Sequence, residues 1–307
     1  MKTVLVTGAS GFIGRRVVTA LSALPAVRIL TLGRSPGASQ PNVEWHQIAL
    51  ELLQRKDYER FGVDGIDAVV HLAAYAPKTV ADADEAQPIV AANVNGTAAL
   101  LASLPNVPRQ FVFISSVDVY RAGADVIDET TTVGPRTLHG ASKLFGEQLV
   151  RSHCRRNRGG YCILRLGHIY GPGEERYQKA IPNLIRAMLA GSEPTLSGDG
   201  STQRDFLYVD DAARAIVAAA LSEATLDPIN VVRGESVSIL SAARQIAELT
   251  GYRGLFRFEG SNGDSLCFDN TAMRRKLGTD SFVAFREGLA REIADFQTSK
   301  AVGDVRH

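Results

Sequence analysis

The run Thr7-Gly8-Ala9-Ser10-Gly11-Phe12-Ile13-Gly14 constrains the fold more than any other part of this chain. It follows the short apolar segment Val4–Thr7, which reads as a buried strand. It precedes Phe12, Ile13, Val17, Val18, Leu21 and Leu24, which fall on one helical stripe. A glycine turn between strand and helix lets a pyrophosphate approach backbone N–H groups at a helix N-terminus, where the dipole favours an anion. The spacing is Gly-x-x-Gly-x-x-Gly, not the commoner Gly-x-Gly-x-x-Gly. Its position still reads as a dinucleotide site, with Gly8, Ser10, Gly11, Phe12, Ile13 and Gly14 as candidate cofactor-binding residues.

The rest of the first half repeats the alternation. Pro25 ends the first helix, and Val27–Leu32, Asp67–Leu72, Phe111–Ser115 and Tyr161–Leu166 read as strands. Helix-like stretches lie at about 87–104 and 136–157. Strands alternating with helices, without tight hairpin signals, require crossover connections and a parallel sheet. After Tyr170 the pattern changes: Gly171-Pro172-Gly173 breaks the chain, a helix follows at about 180–190, and shorter mixed elements continue from there. The expected fold class is α/β, a Rossmann-type doubly wound parallel sheet with a smaller C-terminal α/β lobe. Residues 299–307 read as a flexible tail.

The end of the second strand selects the cofactor. NAD enzymes hold the ribose 2′-hydroxyl with an acid about 20 residues past the loop. Here Gly33 stands at that place and Arg34-Ser35 follow. Without a carboxylate there is no repulsion against a 2′-phosphate, and a guanidinium offers it paired donors. NADP(H) is therefore favoured. NAD(H) is the alternative, with Arg34 stacking on adenine.

Composition removes other classes. Lys and Arg total 34 against 33 Asp and Glu, so no bulk charge exists to hold a nucleic acid. The most apolar stretch, Ala212–Leu221, is interrupted by Arg214 and too short to span a membrane. Three cysteines at no metal-like spacing read as reduced thiols of a cytoplasmic protein, and no metal site is expected.

Further motifs then accumulate: Asp67-Ala68-Val69-Val70-His71-Leu72-Ala73-Ala74, Asn93-Val94-Asn95-Gly96-Thr97, Phe113-Ile114-Ser115-Ser116-Val117-Asp118-Val119-Tyr120, and Arg165-Leu166-Gly167-His168-Ile169-Tyr170-Gly171-Pro172-Gly173. Later come Gly198-Asp199-Gly200-Ser201-Thr202-Gln203-Arg204-Asp205-Phe206, Tyr208-Val209-Asp210-Asp211 and Arg274-Arg275-Lys276-Leu277-Gly278. Together they resemble the extended short-chain dehydrogenase/reductase family over roughly residues 1–290, and within it the NAD(P)-dependent sugar-nucleotide epimerase/dehydratase group. The resemblance implies a Rossmann domain from 1–170 and about 208–232. It implies a substrate lobe from about 171–207 and 233–298, and a homodimer. It adds Leu72, Ala73, Ala74 and Ser35 to the cofactor contacts.

The family's catalytic set is Asn, Ser/Thr, Tyr and Lys. Ser116, Asn93 and Lys143 match, and Lys143 also contacts the cofactor ribose in the family. The Tyr-x-x-x-Lys motif reads His139-Gly140-Ala141-Ser142-Lys143. The phenol is absent, and no nearby tyrosine shifts into register. His139 either takes over proton transfer near neutrality or lines a site whose chemistry is weakened, lost or carried elsewhere. Asn93 either organises the lysine or is an ordinary helix residue.

On the substrate side, Arg204 matches the arginine that contacts a nucleotide diphosphate, and His168 stands where the family usually has Asn. Tyr75, Ser116, Asn183 and Arg274 complete the expected contacts. The expected activity is an NADP(H)-dependent oxidoreductase or epimerase acting on a nucleotide-linked sugar. A dinucleotide-binding protein without turnover, or a reductase of a non-sugar carbonyl, are the alternatives.

Overall fold

The computed structural model describes residues 1–35, 37, 40–79, 81–121, 123 and 125–304. Its strands are β1 (Lys2–Thr7), β2 (Val27–Gly33), β3 (Val43–Gln47), β4 (Ala68–His71), β5 (Gln110–Ser116), β6 (Gly160–Leu166), β7 (His168–Tyr170), β8 (Thr195–Ser197), β9 (Gln203–Tyr208), β10 (Leu226–Val231), β11 (Ser236–Ser238) and β12 (Arg257–Glu259). Its α-helices are α1 (Phe12–Ser22), α2 (Arg55–Arg60), α3 (Ala86–Ile89), α4 (Gly96–Ser103), α5 (Leu138–Asn157), α6 (Ala180–Leu189), α7 (Val209–Leu221), α8 (Ile239–Thr250), α9 (Thr271–Leu277) and α10 (Phe285–Asp304).

Seven strands form the main sheet in the order β3-β2-β1-β4-β5-β6-β10, and every neighbouring pair is parallel. The strands are nearly continuous in apolar residues because both faces are covered. Val4, Val6, Ile29, Val70, Val112 and Leu164 point to the face carrying α1 and α7. Leu5, Leu30, Val69, Phe111 and Ile163 point to the opposite face, with Leu100 of α4 and Val150 of α5. The strand order reverses between β1 and β4, so a crevice opens at their carboxyl ends, where ligands of open α/β sheets bind.

The second lobe is built on a three-stranded sheet, β11-β9-β7, and a two-stranded one, β12-β8. The chain returns to the main sheet through β10, which pairs with β6, while α7 packs on α1. One boundary moves. The sequence assigns residues up to 170 to the first domain, but β7 pairs with β9 in the second lobe's sheet. The change of sheet therefore falls at Gly167. The anticipated tail also shortens: α10 continues to Asp304, and 305–307 lie outside the described residues. Among the described residues no helix is long and apolar enough to cross a membrane.

Candidate active site

The glycine loop sits at the reversal point. Gly8 has φ +71°, and a Cβ there would meet Ala73 N at 2.6 Å. A Cβ on Gly14 would lie 2.1 Å from Gly8 O, so α1 starts against the loop only because this position is glycine. Gly11 caps α1 without a side-chain hydrogen bond, and the first turn carries no acid. The first N–H groups of α1 thus stay open toward an anion. Phe12 is buried in the core, so it serves the loop through its backbone; Ser10 is exposed and Ile13 half-buried. Leu72, Ala73 and Ala74 run directly beside Gly8 as β4 ends. Arg34 and Ser35 are exposed at the end of β2, and Arg34 makes no ion pair among the described residues. The cradle therefore fits a dinucleotide.

Strand alternation chooses the serine. Ser115 points away from the cleft and donates to buried Glu147 Oε1 at 2.6 Å. Ser116 caps the turn 117–119, and its Oγ accepts from Asp118 N at 3.1 Å, leaving its own proton free to donate. The N-terminus of α5 lies against this turn: a Cβ on Gly140 would sit 2.5 Å from Asp118 O. The glycine that follows His139 thus lets the start of α5 lie against the turn that Ser116 opens.

His139 and Lys143 lie one turn apart on the same face of α5. Lys143 is 7% exposed, and its Nζ donates to Ile114 O at 2.8 Å. Burial pushes its ammonium down to about 8. His139 is 8% exposed, and its Nδ1 is sealed from water without a hydrogen-bond partner among the described residues. Burial, then the Lys143 charge, holds the imidazole at about 4, so it is neutral at pH 7.

Asn93 lies in a π-helical segment, Val90–Asn95, between α3 and α4. Its Oδ1 accepts from Tyr75 N at 2.7 Å and its Nδ2 donates to Ser142 Oγ at 2.9 Å. Ser142 in turn donates to His139 O at 2.7 Å. Asn93 therefore fastens the Tyr75 segment to α5. The Tyr75 hydroxyl donates to Glu85.

Sequence reasoning missed the group behind Asn93. Thr97 Oγ1 donates to Asn93 O at 2.7 Å, so it must accept from His71 Nε2 at 2.9 Å. His71 Nδ1 then accepts from Thr7 Oγ1 at 2.6 Å, and Thr7 Oγ1 accepts from Ala73 N at 3.2 Å. Burial holds His71 neutral, at about 3, as this pattern requires. The motif letters of 67–74 contain His71, but its partners lie far along the chain.

Arg204 and His168 lie on the second lobe's sheet. Arg204 Nη1 donates to Gln203 O at 2.8 Å and Asp264 O at 2.6 Å. His168 has an unpartnered, sealed Nδ1, and burial, then Arg204, keep it neutral at about 3. A cavity of about 200 Å³ separates Arg204 from the residues after Ser116 and before His139. Two expected contacts lie elsewhere. Arg274 is exposed on α9, pairs with Asp280 at 3.2 Å, and lines a separate surface depression. Asn183 is exposed on α6 and accepts from Arg186 at 2.8 Å.

Known proteins share this architecture. The model of the NAD dependent epimerase/dehydratase family matches residues 4–232. An uncharacterized UDP-glucose epimerase, YtcB, of Bacillus subtilis is 26% identical over 95% of this chain and 96% of its own. A dTDP-4-dehydro-6-deoxy-D-allose reductase of Streptomyces bikiniensis is 31% identical over 81% of this chain and 82% of its own. The crystal structure of UDP-glucuronic acid 4-epimerase from Bacillus cereus, in complex with UDP-glucuronic acid and NAD, superposes with a TM-score of 0.85. It is 26% identical and covers 97% of this chain and 99% of that one. With its glycine cradle where the strand order reverses and the family model matching residues 4–232, this chain belongs to the NAD dependent epimerase/dehydratase family.

Proposed function

We propose that the protein is an oxidoreductase of nucleotide-linked sugars that removes hydride from, and returns it to, a sugar carbon, as an epimerase does. The observation that carries this reading is the neutral His139 imidazole beside the buried Lys143 ammonium, one helix turn apart and packed on the turn that Ser116 opens. A bound nicotinamide dinucleotide supplies the hydride acceptor and donor. Gly8, Gly11 and Gly14 admit its pyrophosphate, and Lys143 holds its ribose. Ser116 donates to the oxygen of the reacting carbon, and His139 accepts the hydroxyl proton, directly or through one water. Arg204, with His168 beside it, holds the nucleotide diphosphate.

NADP(H) is the proposed cofactor. Gly33 leaves open space at the end of β2, and the exposed Arg34 guanidinium stands beside it. The Arg34→Asp exchange should reverse the preference, read as the ratio of NADPH to NADH dissociation constants. A homodimer is proposed through α4 and α5, since Phe145 of α5 and Val90 just before α4 are about half exposed, at 51% and 48%. The three free cysteines fit a reducing, cytoplasmic setting.

The deciding experiment has two arms. UDP-glucose, UDP-glucuronic acid and dTDP-glucose are incubated with the enzyme and either dinucleotide, and epimers are read by NMR. Nucleotide-linked keto sugars are incubated with 4-deuterated NADPH, and label is read by mass spectrometry beside a His139→Ala control. An epimer, or label in a product, supports the reading. Neither product, despite measured binding of dinucleotide and nucleotide sugar, refutes it in favour of a binding protein.

A further inference from the structure

The cavity beside the turn that follows Ser116 is lined by arginines besides Arg204. Its walls come from both lobes: Asp118 and Arg121 follow Ser116, Arg136 precedes His139, and Arg204 and Asp264 belong to the second lobe. The two guanidiniums that matter differ in how they are held. Arg204 is fixed by two backbone carbonyls. Arg136 is exposed, and its recorded partner is the Asp264 carboxylate, through a single Nη1–Oδ2 contact of 2.6 Å.

Asp264 sits on a stretch that is exposed throughout 257–265. That stretch rests on the second lobe through Asn262 Oδ1, which accepts from Asp199 N at 3.1 Å, and through Ser265 Oγ, which accepts from Gln203 N at 3.1 Å. Gly263 of the same stretch runs beside Arg204 Nη2, which would lie 3.5 Å from a Cβ there. The Asp264 carboxylate thus spans from the second lobe to a first-domain arginine, across the mouth of the cavity. A guanidinium has five N–H donors in a planar fork. One contact leaves most of them unused, and an exposed carboxylate is a weak competitor for the rest.

We propose that Asp264 holds the place of the substrate's anionic group on Arg136. The diphosphate of a nucleotide sugar displaces the carboxylate and takes Arg136 as a second phosphate ligand beside Arg204. Entry of substrate then exchanges an internal ion pair for one with the ligand, and the loop carrying Asp264 is released from the first domain. This inference rests on the nucleotide-sugar reading above for the identity of the anion, but not for the existence of the receptor.

The test is calorimetric titration of the full chain, saturated with the dinucleotide that binds more tightly so that the cofactor's own phosphate site is filled. The probes are UDP, UDP-glucose and inorganic pyrophosphate. The variants are Arg136→Gln, Asp264→Asn, the double variant and Arg204→Gln. Positions 136 and 264 are exposed, at 68% and 55%, and retained melting temperatures check their folding.

Removing a competing surface carboxylate should tighten the probes by about two- to fivefold. Removing a charge-assisted donor to phosphate should weaken them by about tenfold or more. The double variant should match Arg136→Gln, because Asp264 has nothing left to compete for. A dissociation constant within twofold of wild type for Arg136→Gln, with Arg204→Gln strongly impaired, overturns the proposal and leaves the nucleotide-sugar reading standing. Absence of nucleotide binding in every variant sinks that reading instead, and pyrophosphate then decides. Loss of pyrophosphate affinity in Arg136→Gln upholds the receptor, and no loss, or no pyrophosphate binding at all, overturns it.

Discussion

Lys143 should make the protein less stable than it would be without it, and the cost should vanish as pH rises. Its ammonium is 7% exposed and faces a carbonyl and the Phe113 ring, 5.5 Å away, with no carboxylate recorded as its partner. Burial lowers it from its ordinary 10.5 to about 8. At ~1.4 kcal/mol per pH unit, that displacement corresponds to about 3 kcal/mol. The folded state releases this proton near pH 8, whereas the unfolded chain keeps it to about 10.5. Between those values the unfolded chain binds more protons, so stability rises with pH. Below pH 8 the full cost is present. Replacing Lys143 with Met removes the charge, so the variant should gain on wild type by about 2.5 kcal/mol more at pH 7 than at pH 10, where the unfolded chain is still partly protonated. Urea denaturation of both proteins at pH 7, 8, 9 and 10 measures this, and dinucleotide titration checks that the variant has lost cofactor affinity. A stability difference that does not change with pH would refute the reasoning, because it would mean that Lys143 titrates as freely in the fold as in the unfolded chain.

The kcat/KM profile should be flat between an acid limb near His139, at about 4, and an alkaline limb near Lys143, at about 8; a His139→Gln variant that keeps the acid limb would assign it to another group. Gly14→Ala should abolish dinucleotide binding, because its Cβ would lie 2.1 Å from Gly8 O, and unchanged affinity in fluorescence titration would contradict the close approach. Glu174 and Glu292 are buried side by side, and among the described residues neither Glu292 oxygen has a hydrogen-bond partner. Burial raises both carboxyls, Glu174 to about 7, so wild type should lose stability as pH rises from about 4.5 through 7. Glu292→Gln should flatten that loss in melting curves, and an unaltered pH dependence would remove the pair as its source.

The sheet and the cofactor cradle were legible because their signals are local. An apolar strand, a glycine turn and a helical stripe lie within residues 4–24, and parallel pairing follows from the crossovers. What is set by distant contacts was not legible. β7 follows β6 after one residue, and nothing in His168–Tyr170 tells which sheet it joins; its partner β9 begins at Gln203. The helix expected over 87–104 contains a π-helical turn that swings Asn93 toward Tyr75 and Ser142, and Ser142 lies 49 residues away. His71 reads as a strand residue until Thr7 and Thr97, 64 and 26 residues away, fix its tautomer. Arg136 and Asp264 are separated by 128 residues and have no shared motif. Arg274 is a different case: α9 places it on the surface, where it pairs with Asp280 and lines a separate depression.

On the proposed reading, the imidazole at position 139 bears on the direction of the chemistry. With the group held at about 4, only about one molecule in a thousand carries the imidazolium at pH 7. A net reduction must load that proton from solvent before each turnover and does so against two nearby ammonium groups, Lys143 and Lys179. An epimerisation has no such requirement. In the proposed cycle His139 would accept the hydroxyl proton in the first half, with the Lys143 and Lys179 charges opposing the imidazolium, and would return the same proton in the second half. The burial and repulsion that lower its pKa make His139 a weak base and, once protonated, a strong acid. Under the proposed epimerisation the proton taken from the alcohol is the one returned to it, so it does not have to be drawn from water in each turnover.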